Sequence, residues 1–141
     1  MSRIKIELPA VFAFSTRIPI RITDINYGGH AGNDAILSLI HEARMQYLAG
    51  YGYSEMAFAG VGLIMSDASI EFKSELFYAE TVIVSVAIAN RGKVAFDLFY
   101  KLEKEQDGKT KQVALAKTGM VCFDYKMKKI TAFPEDAKRM E

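Results

Sequence analysis

Apolar and polar residues alternate through most of the second half of the chain, with the two-residue period of half-buried strands. Thr81 to Ala89 places Val82, Val84, Val86 and Ile88 on one face. Val94, Phe96, Leu98, Tyr100 and Leu102 alternate in the next run, and Val113, Leu115, Val121 and Phe123 alternate towards Tyr125. Leu63 to Lys73 separates Ile64, Ala68, Ile70 and Phe72 from Met65, Asp67, Ser69, Glu71 and Lys73. Asn90-Arg91-Gly92 reads as a turn and Gln106-Asp107-Gly108 as a hairpin. A short strand near Ile130 and a terminal segment from Pro134 follow. Near the other end, Arg17 to Thr23 carries Ile18, Ile20 and Ile22 on one side, with Pro19 marking an edge or a strand start.

Between these regions the period changes. From Asn33 or Asp34, residues Ile36, Ile40, Ala43 and Tyr47 fall at helical offsets on one face, and Leu37, Leu39 and Leu48 add apolar cover. This predicts a long, mostly buried helix, N-capped by Asn33 or Asp34 and ended by Gly50 and Gly52. One strand, one long helix and a run of strands joined by short turns predict an α+β fold with an antiparallel sheet. A single helix covers one face of such a sheet, so self-association is expected to cover the rest.

Composition narrows the chemistry. The 141 residues form one expected domain, 1–141, with no repeat or linker. Eighteen basic against seventeen acidic residues leave a net charge of +1, which argues against a nucleic-acid binder. Cys122 is the only cysteine, and His30 and His41 are the only histidines, so disulfides and Cys- or His-built metal centres are not expected. Met1 to Glu7 has no long apolar core and no window is apolar enough to span a bilayer. No membrane partner is expected, and the cytoplasm is the expected compartment.

The segment with the most chemical promise is Asp24-Ile25-Asn26-Tyr27-Gly28-Gly29-His30-Ala31-Gly32-Asn33, a glycine-rich loop running into a helix N-terminus. The first helical N–H groups have no intrahelical partner and sit at the positive end of the helix dipole. Donors at Gly32, Asn33 and Asp34 therefore suit an oxyanion that develops on a carbonyl. The plainer reading is a strand-to-helix turn in which Asp24 and Asn26 bond to nearby backbone.

This loop, followed by a helix containing His41-Glu42-Ala43-Arg44, resembles the opening motif of hotdog-fold acyl-CoA thioesterases. More narrowly, it resembles the 4-hydroxybenzoyl-CoA thioesterase-like branch, with its D-x-D-x-x-G-H-V-N-N pattern and a helix ending in E-x-A-R. Asp24 falls on the first acid, Gly29 and His30 on the Gly-His pair, and Asn33 on the second Asn. Ile70-Glu71-Phe72-Lys73-Ser74, Tyr78-Ala79-Glu80-Thr81-Val82 and Phe133-Pro134-Glu135 resemble the family's later landmarks. The second motif acid is Asn26 here, the first Asn is Gly32, and Glu75 and Ala79 replace a Pro and a Gly. The resemblance implies a long central helix wrapped by a curved antiparallel sheet, a homodimer or homotetramer, sites between subunits, and hydrolysis of acyl-CoA without a cofactor or metal.

Asparagine cannot act as a carboxylate base, so Glu42 becomes the leading candidate for base or nucleophile, as in relatives that use a helix acid. Asp34, Ser38, Glu42 and Gln46 form one stripe at i+4 spacing, which either faces a ligand or is a solvated surface. His30 and Asn26 are candidates to orient the reactants, and His30 equally suits pinning the loop. His41 reads as an ordinary helix residue. Asp67 and Ser69 are candidates for a partner's site, or for plain surface. Lys73, Arg91 and Lys93 are candidates for coenzyme A phosphates, or for solvated cations. Cys122 and the Met and Phe residues read as packing. Two rival functions stay open: a non-catalytic acyl-CoA-binding module, suggested by Asn26, and a hotdog enoyl-CoA hydratase or dehydratase, whose D-x-N-P-x-H-like loop is near Asp24-Ile25-Asn26 and His30.

Overall fold

The computed structural model describes residues 3–141; Met1 and Ser2, the start of the segment read above for an export signal, lie outside them. Strand β1 spans Phe14–Pro19, helix α1 Asn33–Gly50, β2 Gly62–Phe72, β3 Thr81–Ala89, β4 Ala95–Gln106, β5 Lys109–Asp124 and β6 Lys129–Ile130. The strands form one antiparallel sheet in the order β1-β3-β4-β5-β2, and β6 pairs with β5 beyond the end of β4. The sheet wraps α1, which lays Ala35, Ile36, Leu39, Ile40, Ala43, Tyr47 and Leu48 into the core. This is the α+β antiparallel arrangement expected from the pattern, in the wrapped-helix form that the family resemblance implies; α1 is buried along one side only, not mostly buried as expected, and its opposite stripe is open.

Alternation predicts β3 and β4 well. Val82, Val84 and Val86 are fully buried, as are Leu98, Tyr100 and Leu102. The inner face of β4 runs one step further than its apolar pattern, because Lys104 is only 3% exposed. The predicted hairpin forms at Asp107 and Gly108, both with positive φ. Three expectations shift. The first strand lies earlier than Arg17 to Thr23: after Ile20 the chain enters a 3-10 turn over Ile22–Asp24, which leaves Ile22 69% exposed. In β2 a bulge between Met65 and Asp67 reverses the parity, so Leu63 is buried while Ile64 is exposed. In β5 the inner face is Ala114, Ala116, Thr118, Met120 and Cys122, while Val121 and Phe123 are half-buried. Small residues there leave room for a polar group under the helix.

That group is Arg44, 4% exposed. Its Nε donates to Glu55 Oε1 at 3.2 Å and its terminal nitrogen to the Tyr100 hydroxyl at 3.2 Å. The Tyr100 hydroxyl also lies 2.8 Å from Thr118 Oγ1. These bonds offset the cost of burying the guanidinium. The C-terminal segment closes the far end of α1. Phe133, Ala137 and Met140 are buried, and the Tyr47 hydroxyl donates to the carbonyl of Glu141.

Two outcomes follow for the core. Tyr100→Phe leaves Arg44 short of an acceptor and is expected to cost about 1–3 kcal/mol in chemical denaturation, without change of fold. Burial pushes the Cys122 thiol up to about 11. With the thiol buried and its thiolate disfavoured, a disulfide reagent at pH 8 is expected to react with native protein far more slowly than with protein in denaturant.

Candidate active site

The loop between the 3-10 turn and α1 is held almost wholly by its own polar groups. Asp24 is buried; its Oδ2 accepts from the Arg21 N–H at 2.8 Å and its carbonyl accepts from the Gly32 N–H at 3.2 Å. The Asn26 side chain accepts from Gly28 N–H at 2.9 Å, its carbonyl accepts from Gly29 N–H at 3.1 Å, and its own N–H donates to the His30 carbonyl at 2.9 Å. Gly29 supplies the positive φ of 85° that this tight return needs. His30 Nδ1 donates to the Ala31 carbonyl at 3.0 Å, which sets that tautomer. Thus the side chains of Asp24, Asn26 and His30 all bond to backbone groups in or beside this loop, the bonds that the plainer reading calls for.

The loop delivers a bare helix start. Gly32 is the N-cap and offers no side-chain cap, and the first bond of the helix is Ile36 N–H to Gly32 carbonyl at 3.1 Å. Asn33, Asp34 and Ala35 therefore present N–H groups ahead of that first bond. A Cβ on Gly32 would lie 2.6 Å from Asp34 Oδ1, so glycine here lets the Asp34 side chain fold over the cap.

Two separate clefts flank this region. The first, about 420 Å³, lies between the open edge of β1 and the exposed stripe of α1. Glu42, Ser38, Gln46, His41, Asp24 and the arginines Arg17 and Arg21 are among its lining residues. Glu42 Oε2 accepts from the Gln46 amide at 2.7 Å, and the Thr16 hydroxyl donates to the Gln46 oxygen, so a short polar ladder runs from β1 to the carboxylate. His41, which the sequence offered as an ordinary helix residue, places Nε2 2.8 Å from Glu55 Oε1, the oxygen that also binds Arg44. The buried Arg44–Tyr100–Thr118 chain thus surfaces at the wall of the Glu42 cleft. Only the E-x-A-R-like spacing around Arg44 hinted at it.

The second cleft, about 230 Å³, opens at the helix start and is lined by His30, Ala31, Asn33 and Ile36 against Phe72 to Leu76. Lys73 is at its wall, with Nζ 2.8 Å from Glu71 Oε2. The two clefts share no lining residue. Glu42 is eight residues from Asp34, about 12 Å along the helix axis, further than a glutamate side chain reaches.

The remaining candidates lie elsewhere. Asp67 accepts from Lys117 Nζ and Gly119 N–H, both at 2.9 Å, and the Lys117 bond chiefly holds its carboxyl below the usual range. Ser69 lines a third cavity with residues Ile4 to Glu7, Phe99 and Lys117. The Arg91 guanidinium is occupied by the carbonyls of Lys138 and Met140. Lys93 is exposed, and its carbonyl accepts from Phe133 N–H at 2.8 Å. Neither Arg91 nor Lys93 lines either of the α1 clefts.

Comparison with known proteins places this arrangement. A 1,4-dihydroxy-2-naphthoyl-CoA thioesterase from Synechocystis superposes with a TM-score of 0.76 at 20% identity, over 86% of this chain and 90% of that one. A mutant 4-hydroxybenzoyl-CoA thioesterase complexed with 4-hydroxybenzoyl-CoA gives 0.77 at 15% identity, over 87% and 94%. A gentisyl-coenzyme A thioesterase gives 0.76 at 18%, over 89% and 99%. At these identities the likeness establishes a shared fold. No curated protein matches the chain in sequence. Residues 20–140 match the profile of the thioesterase-like superfamily, nearly the whole chain. By that match the chain belongs to the thioesterase-like superfamily and carries its hotdog fold.

Proposed function

We propose that the chain hydrolyses an acyl-CoA thioester to a carboxylic acid and free coenzyme A, with Glu42 as the acting carboxylate. One observation supports this above the rest: in a member of the thioesterase-like superfamily, the carboxylate missing from the loop at Asn26 is replaced by one on the exposed helix stripe, open to a cleft of about 420 Å³. The thioester carbonyl oxygen would lie against the N–H groups of Asn33 and Asp34, where charge developing on oxygen is stabilised. Glu42 would take a proton from water as its oxygen attacks the carbonyl carbon, or attack that carbon itself. The C–S bond then breaks and coenzyme A leaves as the thiolate; where Glu42 is the nucleophile, water then cleaves the acyl–glutamate anhydride, releasing the carboxylic acid and restoring the Glu42 carboxylate. Asn26 and His30 act by holding the loop, and Asp24 by tying its two ends.

Because the helix start and Glu42 open into different clefts of one chain, the working site takes one from each of two copies. A homodimer with a two-fold axis supplies two such sites, and pairing of dimers is compatible with it. Lys73, beside the helix start, is the cation proposed to meet a coenzyme A phosphate, with Lys93 a more distant candidate. Three neighbours of the fold are named for aromatic acyl-CoAs, which makes aryl-CoAs the first substrates to try. The proposed compartment is the cytoplasm; among the described residues no helix is long and apolar enough to cross a membrane.

Free-thiol release from a panel of aryl- and alkyl-CoAs tests the reading. Glu42→Gln is expected to lower kcat by about 100- to 10,000-fold, and Asn26→Ala by up to about 100-fold through the loop. Release that survives Glu42→Gln at the wild-type rate removes Glu42 from the chemistry. Binding without release favours a carrier module, and loss of enoyl absorbance without thiol favours a hydratase.

A further inference from the structure

Lys104 is the one charged residue on the inner face of β4, next after Phe96, Leu98, Tyr100 and Leu102. An ammonium buried this deeply is retained only when its donors are filled. Lys104 Nζ donates to the Glu75 carbonyl at 2.7 Å and to the Glu80 carboxylate oxygens at 3.1 and 3.2 Å, and it stands 5.3 Å from the centre of the Phe77 ring. All three partners belong to the 74–80 connection between β2 and β3. Glu80 also accepts from the Phe77 N–H at 2.7 Å, so one carboxylate and one ammonium draw this connection into a closed turn.

The same connection reaches the helix start. The Leu76 carbonyl, one residue beyond the Glu75 carbonyl that Lys104 binds, accepts from the Ala31 N–H at 2.8 Å. Ala31 immediately precedes the N-cap Gly32 and the donors of Asn33 and Asp34. Glu75 and Leu76 are also walls of the cleft into which Asn33 opens. We infer that Lys104 is a positioning residue: it holds the 74–80 connection so that the Leu76 carbonyl fixes Ala31, and with it the placement of the helix-start donors and the width of their cleft. This rests on the thioesterase reading for its kinetic consequence, though not for its structural one.

The test pairs kinetics with amide exchange on the full chain. Lys104→Met keeps the stem and removes the charge. It is expected to lower kcat by about 10- to 100-fold, because donors displaced by a fraction of an ångström lose the developing oxyanion, while KM stays within about twofold. Lys104→Arg is expected to recover part of the loss. Exchange of the Ala31 amide is expected to quicken in Lys104→Met beyond the general change. Val86→Ala, a cavity at a core site remote from the connection, serves as the control for lost stability alone. Should Lys104→Met not fold, Lys104→Met with Glu80→Gln removes the unpaired carboxylate and carries the same test. A kcat loss no larger than that of Val86→Ala, or unchanged protection at Ala31, overturns the inference. If wild-type protein releases no thiol from any acyl-CoA, the thioesterase reading fails, and Ala31 exchange alone then decides the role of Lys104.

Discussion

The structure depends on a single helix packing one of its two long stripes against the inner face of one sheet. Ile36, Leu39, Ile40, Ala43 and Tyr47 are buried in the core, with α1 packed against β1 and β3, and each large apolar side chain so buried contributes about 1.5–3 kcal/mol. That packing fixes the rotation of α1 about its axis. The rotation in turn decides that Asp34, Ser38 and Glu42 are exposed, with Ser38 and Glu42 lining the cleft at the β1 edge. It also fixes distance. A helix advances about 1.5 Å per residue, so its N-terminal donors and Glu42 cannot meet on one small group within one copy.

Polar groups under the helix tighten this geometry from two directions. Arg44 crosses from α1 to Tyr100 on β4 and to Glu55 in the segment after the helix, and Glu55 also holds His41 at the cleft wall. Lys104, on the same strand as Tyr100, gathers the 74–80 connection against the helix start. Two buried cations, one on α1 and one on β4, thus address the two ends of the proposed chemistry. Each is hydrogen-bonded to groups distant in the chain, and through those bonds a buried charge helps to specify the arrangement. The loop between them is stiffened by Asp24, Asn26 and His30, whose side chains are bonded to backbone groups of the loop itself.

Much of this architecture was legible in the amino-acid order. Strict alternation located β3 and the apolar part of β4, and Asp107-Gly108 located the hairpin between β4 and β5. The helical period of Ile36, Ile40, Ala43 and Tyr47 identified the buried side of α1, and the i+4 stripe through Glu42 proved to be its open side. Parity failed where the signal was weak for a physical reason. The inner face of β5 is largely Ala and Thr, which contrast little with the outer face, and a bulge in β2 shifts a register that composition does not mark. Arg44, Lys104 and His41 were illegible as a group because burial and pairing of a charge depend on partners distant in the chain. Glu80 and Glu55 come from segments whose placement is a tertiary outcome. Arg91, a candidate for a phosphate or for plain surface, donates to the carbonyls of Lys138 and Met140, a contact that likewise depends on a segment distant in the chain.

The central claim is that one chain holds two incomplete halves, a helix start and a carboxylate, which two copies combine. Mixing two inactive variants tests it most directly: Glu42→Gln, and Gly32→Pro, which distorts the helix start. Unfolding and refolding them together in equal amounts yields mixed dimers in about half the population. Each mixed dimer then holds one site with both halves intact, so thiol release is expected to return to about a quarter of the wild-type rate. If the mixture forms dimers and releases no more thiol than the separate variants, both halves act within a single chain and the account is contradicted.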